Sequence, residues 1–355
     1  MKKVLYLTNI EVPYRVRFFN ELAKSCDLTV LYERQRSATR NEAWAKSQAT
    51  NYRVKYLHGI KIGGESAFSL GILKEILGGY DTVIVGCYNN PVQMLAILVM
   101  RLLRISYVLN LDGEIFLGEC GWKNRLKSFF ISGAEKYLVA GEKSAESVGK
   151  IVGEKEVIPY YFSSLSDAEL EAHRLSVQNI GRDSTILVIG QYFDYKGMDI
   201  ALEVARMDSS SRYKFVGMGS RTTLFSQEHE IPENVELIPF LAKEELEQEY
   251  RKCSMLVLPS RQECWGLVVN EAASFGMPIV STWGSGAAVE FLADVYPQYL
   301  AKPGDANSLY ECIRRCMDAE NKLSYSNNLL KISENYSIDE SVRVHLRVCN
   351  DRKER

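Results

Sequence analysis

Apolar positions along the chain fall into two kinds of run that alternate. Short, mostly apolar runs at Val4 to Leu7, Leu28 to Tyr32, Tyr52 to Leu57, Thr82 to Val85, Tyr107 to Leu109 and Lys136 to Val139 read as strands. Between them, Tyr14 to Lys24, Leu70 to Leu77, Pro91 to Leu103 and Trp122 to Ile131 space their apolar residues as helices do, with Val16, Phe19 and Leu22 marking one face of the first. From 158 to 182 the pattern loosens into Pro159, Tyr160, Tyr161, Ser163, Ser164, Ser166 and a polar run, which reads as a domain boundary.

Alternation then restarts. Strands are expected at Thr185 to Val188, Lys214 to Val216, Val235 to Ile238, Met255 to Leu258 and Ile279 to Ser281, and helices at Met198 to Met207, Glu244 to Arg251, Gly266 to Gly276 and Ser308 to Met317. Gly284 and Gly286 read as a turn, and Asp339 to Val348 as an isolated last helix. Strand and helix in strict alternation imply right-handed crossovers and parallel sheets. The expected fold class is therefore α/β, with two doubly wound, Rossmann-like domains facing each other across a cleft, residues 1–163 and 178–334.

Composition narrows the function classes. At 355 residues, 46% hydrophobic and 25% charged, with 43 basic against 45 acidic side chains, the chain carries a net charge of −2. Nothing in that balance argues for nucleic acid as a partner. The eight cysteines are scattered without C-x-x-C pairs and read as reduced thiols of a cytoplasmic protein. The basic start, Met1-Lys2-Lys3, leads into too short an apolar run for a signal peptide, and Met94 to Met100 falls well below the ~20 residues of a spanning helix. Membrane contact, where it occurs, is expected to be peripheral. Trp122 to Phe130 mixes basic and aromatic residues on one helix, a pattern shared by interfacial membrane helices and by ordinary helices with a core stripe.

The most distinctive stretch runs from Leu258 to Ile279 and holds Glu263 and Glu271. Glu263 falls in a loop ahead of a helix that starts near Gly266, and Glu271 lies more than a turn into it. Helix N-termini carry unsatisfied amides and positive partial charge, so Gly266 and Leu267 form an expected anion site. Other candidates also follow strands: Gly190 and Gln191 with Lys196 beyond them, and the pair Gly217 and Gly219, which leave room for close backbone approach. In open parallel sheets ligands bind at the carboxyl ends of strands, where all of these fall.

In this order, the residues resemble the retaining glycosyltransferases of family 4, which have the two-domain GT-B fold. The signature is the glutamate pair around Gly266, preceded by Pro259-Ser260 and followed by Ala, Gly276 and Pro278, and the likeness is strongest from 184 to 318. The resemblance implies that Glu263 contacts donor-sugar hydroxyls, Glu271 the ribose, Gly266 and Leu267 the diphosphate or sugar, and Lys196 the leaving diphosphate. It implies that Phe240 and Leu241 seat the base and that the last segment, 335–355, crosses back to the first domain. Two positions depart from the family pattern. Gln191 stands where an arginine is common, which leaves Arg261 and Lys196 as the cations at hand, and Asp112 occupies the place of a frequent histidine; His58, His173, His229 and His345 fall at no comparable strand end.

The first domain has no glycine before Lys24 and so is not expected to bind a dinucleotide. Asn9, Tyr14 and Arg15 near the first strand-to-helix junction are the candidates for holding an acceptor, with Asp112 as a third catalytic candidate beside Glu263 and Lys196. The expected function is a metal-independent retaining hexosyltransferase that uses a nucleotide diphosphate sugar, needs no cofactor, and acts on a glycan or lipid-linked acceptor in surface polysaccharide synthesis. Its expected location is the cytoplasm, including the inner face of the cell membrane. Two other readings stay open: a sugar nucleotide epimerase of the same fold, and a degenerate transferase that serves as a partner subunit.

Overall fold

The computed structural model describes residues 1–34, 50–62, 66–113, 121–177 and 181–350. Cys120, and residues 178–180 of the expected boundary, lie outside the described residues. The chain divides into two compact units, Met1–Phe162 with Ile338–Arg355, and Ser163–Ser337.

Unit 1 runs β1 (Lys3–Ile10), α1 (Pro13–Leu22), β2 (Asp27–Arg34), β3 (Arg53–Tyr56), the hairpin β4 (Ile60–Ile62) and β5 (Ser66–Phe68), α2 (Ile72–Ile76), β6 (Thr82–Val85), α3 (Pro91–Leu102), β7 (Val108–Leu111), α4 (Gly121–Ile131), β8 (Lys136–Ala140), α5 (Glu142–Val152) and β9 (Glu156–Tyr160). Its main sheet has the order β3-β2-β1-β6-β7-β8-β9 with every neighbouring pair parallel. Central strands such as β6 are apolar on both faces, as in sheets that helices cover on both sides. Leu5 and Leu7 enter the core with Val92, Ala96 and Ile97 of α3, whereas Tyr6, on the other face, meets Phe19 of α1 at 4.8 Å between ring centroids.

Unit 2 runs α6 (Asp167–Ser176), β10 (Thr185–Ile189), α7 (Met198–Met207), β11 (Arg212–Val216), α8 (Thr222–Glu228), β12 (Val235–Ile238), α9 (Lys243–Lys252), β13 (Met255–Leu258), α10 (Leu267–Ser274), β14 (Ile279–Thr282), α11 (Gly286–Leu292), β15 (Leu300–Ala301), α12 (Ala306–Asp318) and α13 (Lys322–Ser333). The six strands pair in parallel in the order β12-β11-β10-β13-β14-β15. The last helix, α14 (Ile338–Asn350), belongs to unit 1 and packs on α1.

Several elements go beyond the sequence reading. The stretch around 158–182, expected to be loose, carries the end of β9 and the whole of α6. That helix opens on a capping box in which the Glu169 carboxylate accepts from the Ser166 amide at 2.8 Å and the Ser166 hydroxyl accepts from the Glu169 amide at 3.3 Å. The glycine pair at 284 and 286 is not only a turn, since Gly286 is the first residue of α11. Five of the seven described cysteines are buried.

Arg182 joins the ends of two helices in unit 2. Its guanidinium donates to the carbonyls of Tyr250 in the last turn of α9 and Cys253 just after it and, at 2.7 Å, to that of Phe275 just after α10. Helix C-termini present such carbonyls without intrahelical partners. Nearby, His173 of α6 sits buried, stacked on Phe275 at 4.0 Å, with Nδ1 2.9 Å from the Ser274 hydroxyl.

Burial, with the Arg251 charge, pulls the His173 pKa down to about 4, and burial pulls that of His345 in unit 1 down to about 3. The unfolded chain protonates both near pH 6.5, so between the folded and unfolded values it binds more protons and stability falls as pH is lowered. Denaturant midpoints measured from pH 7 to pH 4 are expected to decline, with each histidine contributing a slope of at most ~1.4 kcal/mol per pH unit. His173→Gln is expected to flatten that slope; an unchanged slope would refute the assignment.

Candidate functional site

In unit 2, β10 has β11 on one side and β13 on the other, so the connections after β10 and β13 diverge. The gap at their carboxyl ends is a topological switch point, where open parallel sheets take ligands. Lys196 arrives there from β10 at the end of a 3₁₀ turn, Asp194–Lys196, just before α7. Glu263 arrives from β13, and the two side chains form an ion pair, each less than one-fifth exposed. Backbone contacts hold Glu263 in place: its amide donates to Gly284 O at 2.8 Å, and its carbonyl accepts from the Gly286 amide at 3.0 Å.

Three glycines let these loops nest. A Cβ on Gly197 would lie 2.1 Å from Pro259 O, one on Gly284 2.3 Å from Arg261 O, and one on Gly286 2.2 Å from Cys264 O. Gly197 also has φ +67°, a left-handed conformation that starts α7. Gly266, at φ +101°, is the N-cap of α10, and its α-carbon side faces Leu258, the Glu263 side chain and Ser285. Gly266 and Leu267 therefore open the helix beside the Glu263 side chain.

The other expected donor-site residues share this edge of the sheet. The Gly190 amide donates to Val216 O at 3.0 Å, and Gln191 O accepts from the Phe193 amide at 3.0 Å. Gly217 and Gly219 take φ +101° and +57°, and their amides donate to Ile238 O and Pro239 O at 3.2 and 2.7 Å. Phe240, with Leu241 after it, follows β12 and is 42% exposed, a large aromatic face left open to solvent. Glu271 lies on α10 with both carboxylate oxygens engaged: one accepts from Ser164 Oγ at 2.8 Å, the other from Tyr250 OH at 2.9 Å. Burial raises its pKa, and the two hydroxyls oppose the rise.

Two cations differ from the sequence reading. Arg261, named above as a cation at hand for the arginine absent at 191, forms a double hydrogen bond to Asp199 at 2.9 and 2.6 Å and donates to Asp194 O. Arg221, which the sequence reading passed over, reaches the 190–196 loop instead. Its guanidinium stands 4.2 Å from the Phe193 ring centroid and donates to Tyr192 O at 3.0 Å. The Gly217-Met-Gly-Ser-Arg221 run was the signal available for it.

In unit 1, Asp112 follows β7 and pairs with Arg15, which is buried. Arg15 thus differs from its expected place as an acceptor contact: its guanidinium is turned inward, toward Asp112 and the Tyr6 hydroxyl. Tyr14 is half-buried, its ring 5.7 Å from that of Phe162, and Asn9 accepts from the neighbouring Ile10 amide at 2.8 Å. Helix α4 has an inverted surface. Trp122, Leu126 and Phe129 are 65, 44 and 43% exposed, while Asn124, Lys127 and Ser128 are half-buried. Residues 91–111 and 121–131 contain Arg101, Arg104, Lys123, Arg125 and Lys127 and no acidic residue.

The nested loops make the glycines unequal. Gly197→Ala is expected to cost at least ~2 kcal/mol, since it adds a clash with Pro259 to the left-handed strain. Gly219→Ala, with nothing within 4 Å of its Cβ, is expected to cost only the ~1 kcal/mol of left-handed backbone. Urea midpoints of the two variants test the difference, and equal losses would contradict the nesting.

Comparison with known proteins gives the family. Residues 171–348, half of the chain, match the model of Glycosyl transferases group 1. An uncharacterized glycosyltransferase of Methanocaldococcus jannaschii is 30% identical over 139 residues, 38% of each chain, and an uncharacterized 41.2 kDa protein in the cps region of Klebsiella pneumoniae is 29% identical over 126 residues, 36% of this chain and 35% of that one. The chain thus spans little more than a third of the length of these curated relatives. Among solved structures, Anabaena Alr3699/HepE in complex with UDP-glucose is similar over 98% of this chain and 100% of that one, at a TM-score of 0.69 and 16% identity. Sucrose-phosphate synthase from Thermosynechococcus elongatus is similar over 98% of both chains, at a TM-score of 0.71 and 14% identity. With the two parallel α/β sheets described above, these likenesses show the GT-B fold, and by its family match the chain belongs to the group 1 glycosyl transferases.

Proposed function

We propose that this glycosyltransferase is a retaining, family 4 enzyme that moves a hexose from a nucleotide diphosphate sugar to a glycan or lipid-linked acceptor in surface polysaccharide assembly. The observation that carries the reading is the Lys196–Glu263 pair at the switch point of unit 2. In the transfer the bond from the anomeric carbon to the diphosphate oxygen breaks, the bond to an acceptor oxygen forms, and the acceptor's proton leaves with the nucleotide or solvent. Negative charge grows on the departing phosphate. Lys196 and the α10 amides at Gly266 and Leu267 are the preorganised donors for it, each typically worth ~3–4 kcal/mol in the transition state. Arg221 stands in for the arginine absent at Gln191.

Glu263, freed from Lys196 when the diphosphate arrives, accepts donor-sugar hydroxyls. Glu271 takes the ribose, for which it exchanges one of its hydroxyl partners. Phe240 supplies a face for the base, and Gly217 and Gly219 admit it to the backbone. Unit 1 holds the acceptor, with Asn9, Tyr14 and Asp112 as its contacts. No metal or other cofactor enters this reading, since cations and amides of the chain carry the diphosphate. The HepE complex makes UDP-glucose the first donor to test.

Screening UDP-, GDP- and dTDP-sugars by thermal shift is expected to find one that stabilises unit 2, by about 2.7 kcal/mol at 100 times its dissociation constant. With that donor, Lys196→Ala and Glu263→Gln are each expected to lower kcat by about 10²–10³ while the fold is kept. Wild-type turnover by Lys196→Ala would sink the proposal, and no binding of any nucleotide would favour a degenerate subunit.

The location follows from unit 1. Among the described residues no helix is long and apolar enough to cross a membrane. The outward Trp122, Leu126 and Phe129, set among basic residues, suit a peripheral contact with the anionic inner face of the cell membrane. Sedimentation with phosphatidylglycerol vesicles at low salt is expected to carry the protein down. Salt and Lys123→Glu with Arg125→Glu are expected to release it; retention of the double variant would exclude this surface.

A further inference from the structure

Asp112 is the exit of a closed hydrogen-bond ring. Arg15 of α1 donates one arm to Asp112 and the other, at 3.0 Å, to the hydroxyl of Tyr6 on β1. Tyr6 donates in turn to Asn110 Oδ1 on β7, and Asn110 Nδ2 donates to the hydroxyl of Tyr160 on β9 at 3.1 Å. Tyr160 closes the ring by donating to Asp112 Oδ1 at 2.9 Å. Every bond has a donor facing an acceptor, and both directions around the ring start at the guanidinium and end at the carboxylate. Tyr6, Arg15, Asn110 and Tyr160 are at most 5% exposed, whereas the Asp112 side chain is 33% exposed.

A guanidinium buried this deeply loses its hydration and needs a charged partner with its remaining donors satisfied. The ring meets that need and imposes one geometry on the partner: Oδ2 is fixed by Arg15 and Oδ1 by Tyr160. A carboxylate offers about four lone-pair directions; the ring takes one on each oxygen and leaves the side chain one-third exposed. Such a carboxylate accepts hydroxyl protons from a fixed direction.

We infer that Arg15 and Tyr160 are positioning residues that aim Asp112 at a sugar hydroxyl, and that neither touches the sugar itself. The inference rests on the reading of Asp112 as the unit 1 contact to substrate. It moves Arg15 from acceptor contact to support, and it gives a role to Tyr160, which the family pattern does not mark. Helix α14 borders the same ring, with His345 Nε2 3.0 Å from Asn110 Oδ1.

The test is a double-mutant cycle on kcat and KM, using the nucleotide sugar found by thermal shift and following nucleotide release. Tyr160→Phe keeps the ring packing and removes only the hydroxyl. It is expected to lower kcat about 10-fold with donor KM within about 2-fold, and to add less than about 2-fold in an Asp112→Asn background. Arg15→Lys, which keeps the charge and loses the fork, is expected to show the same lack of additivity and serves if Tyr160→Phe fails to fold. Full additivity, or a loss of melting temperature with kcat unchanged, would overturn the inference. Wild-type kcat in Asp112→Asn alone would instead overturn the role of Asp112 and leave the Lys196–Glu263 reading standing.

Discussion

In a parallel sheet covered by helices on both faces, side chains with room to meet a ligand lie where the strands end, which constrains where a site can form. Both units obey this constraint. In unit 2 it concentrates Lys196, Glu263, the glycine turns and the start of α10 at the carboxyl edge, beside the one place where neighbouring connections diverge. In unit 1 it brings Asp112 to the corresponding edge, after β7. The chemistry of the protein is therefore written at strand ends, and the strands themselves are its support.

The Lys196–Glu263 pair places two opposite charges together at such an edge, which avoids leaving a partly buried charge uncompensated. Glu271 solves the same problem with two hydroxyls in place of a cation, and Arg261 with Asp199. These internal partners decide which groups can be released to a ligand. A single ion pair exchanges for a phosphate and a sugar more readily than a doubly hydrogen-bonded guanidinium leaves its aspartate.

Much of this was legible in the residues alone. Strands such as Val4 to Leu7 and Met255 to Leu258 show up because burial on both faces makes them continuously apolar, and the glutamate pair around Gly266 stands out because it brackets the start of a helix after a strand. What stayed hidden had a physical cause as well. Helix α6 carries little apolar periodicity, and only its Ser166–Glu169 box announces it. Tyr6, Asn110 and Tyr160 lie within apolar strands and look like core, since nothing in the sequence shows that their polar ends meet. Arg261 and Arg221 are both arginines in loops, and only the fold shows that the first is committed to Asp199 while the second reaches Phe193.

The nesting of Gly197, Gly284 and Gly286 against neighbouring carbonyls bears on thermodynamics as well as on shape. Loops that must be ordered by a ligand tax its affinity by about 0.5–1.5 kcal/mol for each immobilised side chain. Here the backbones already interlock, so little chain entropy remains to be lost on association. Calorimetric signatures of coupled folding, a large heat-capacity drop above all, have no source in these loops. Side chains then project from a fixed frame, the open ring of Phe240 among them.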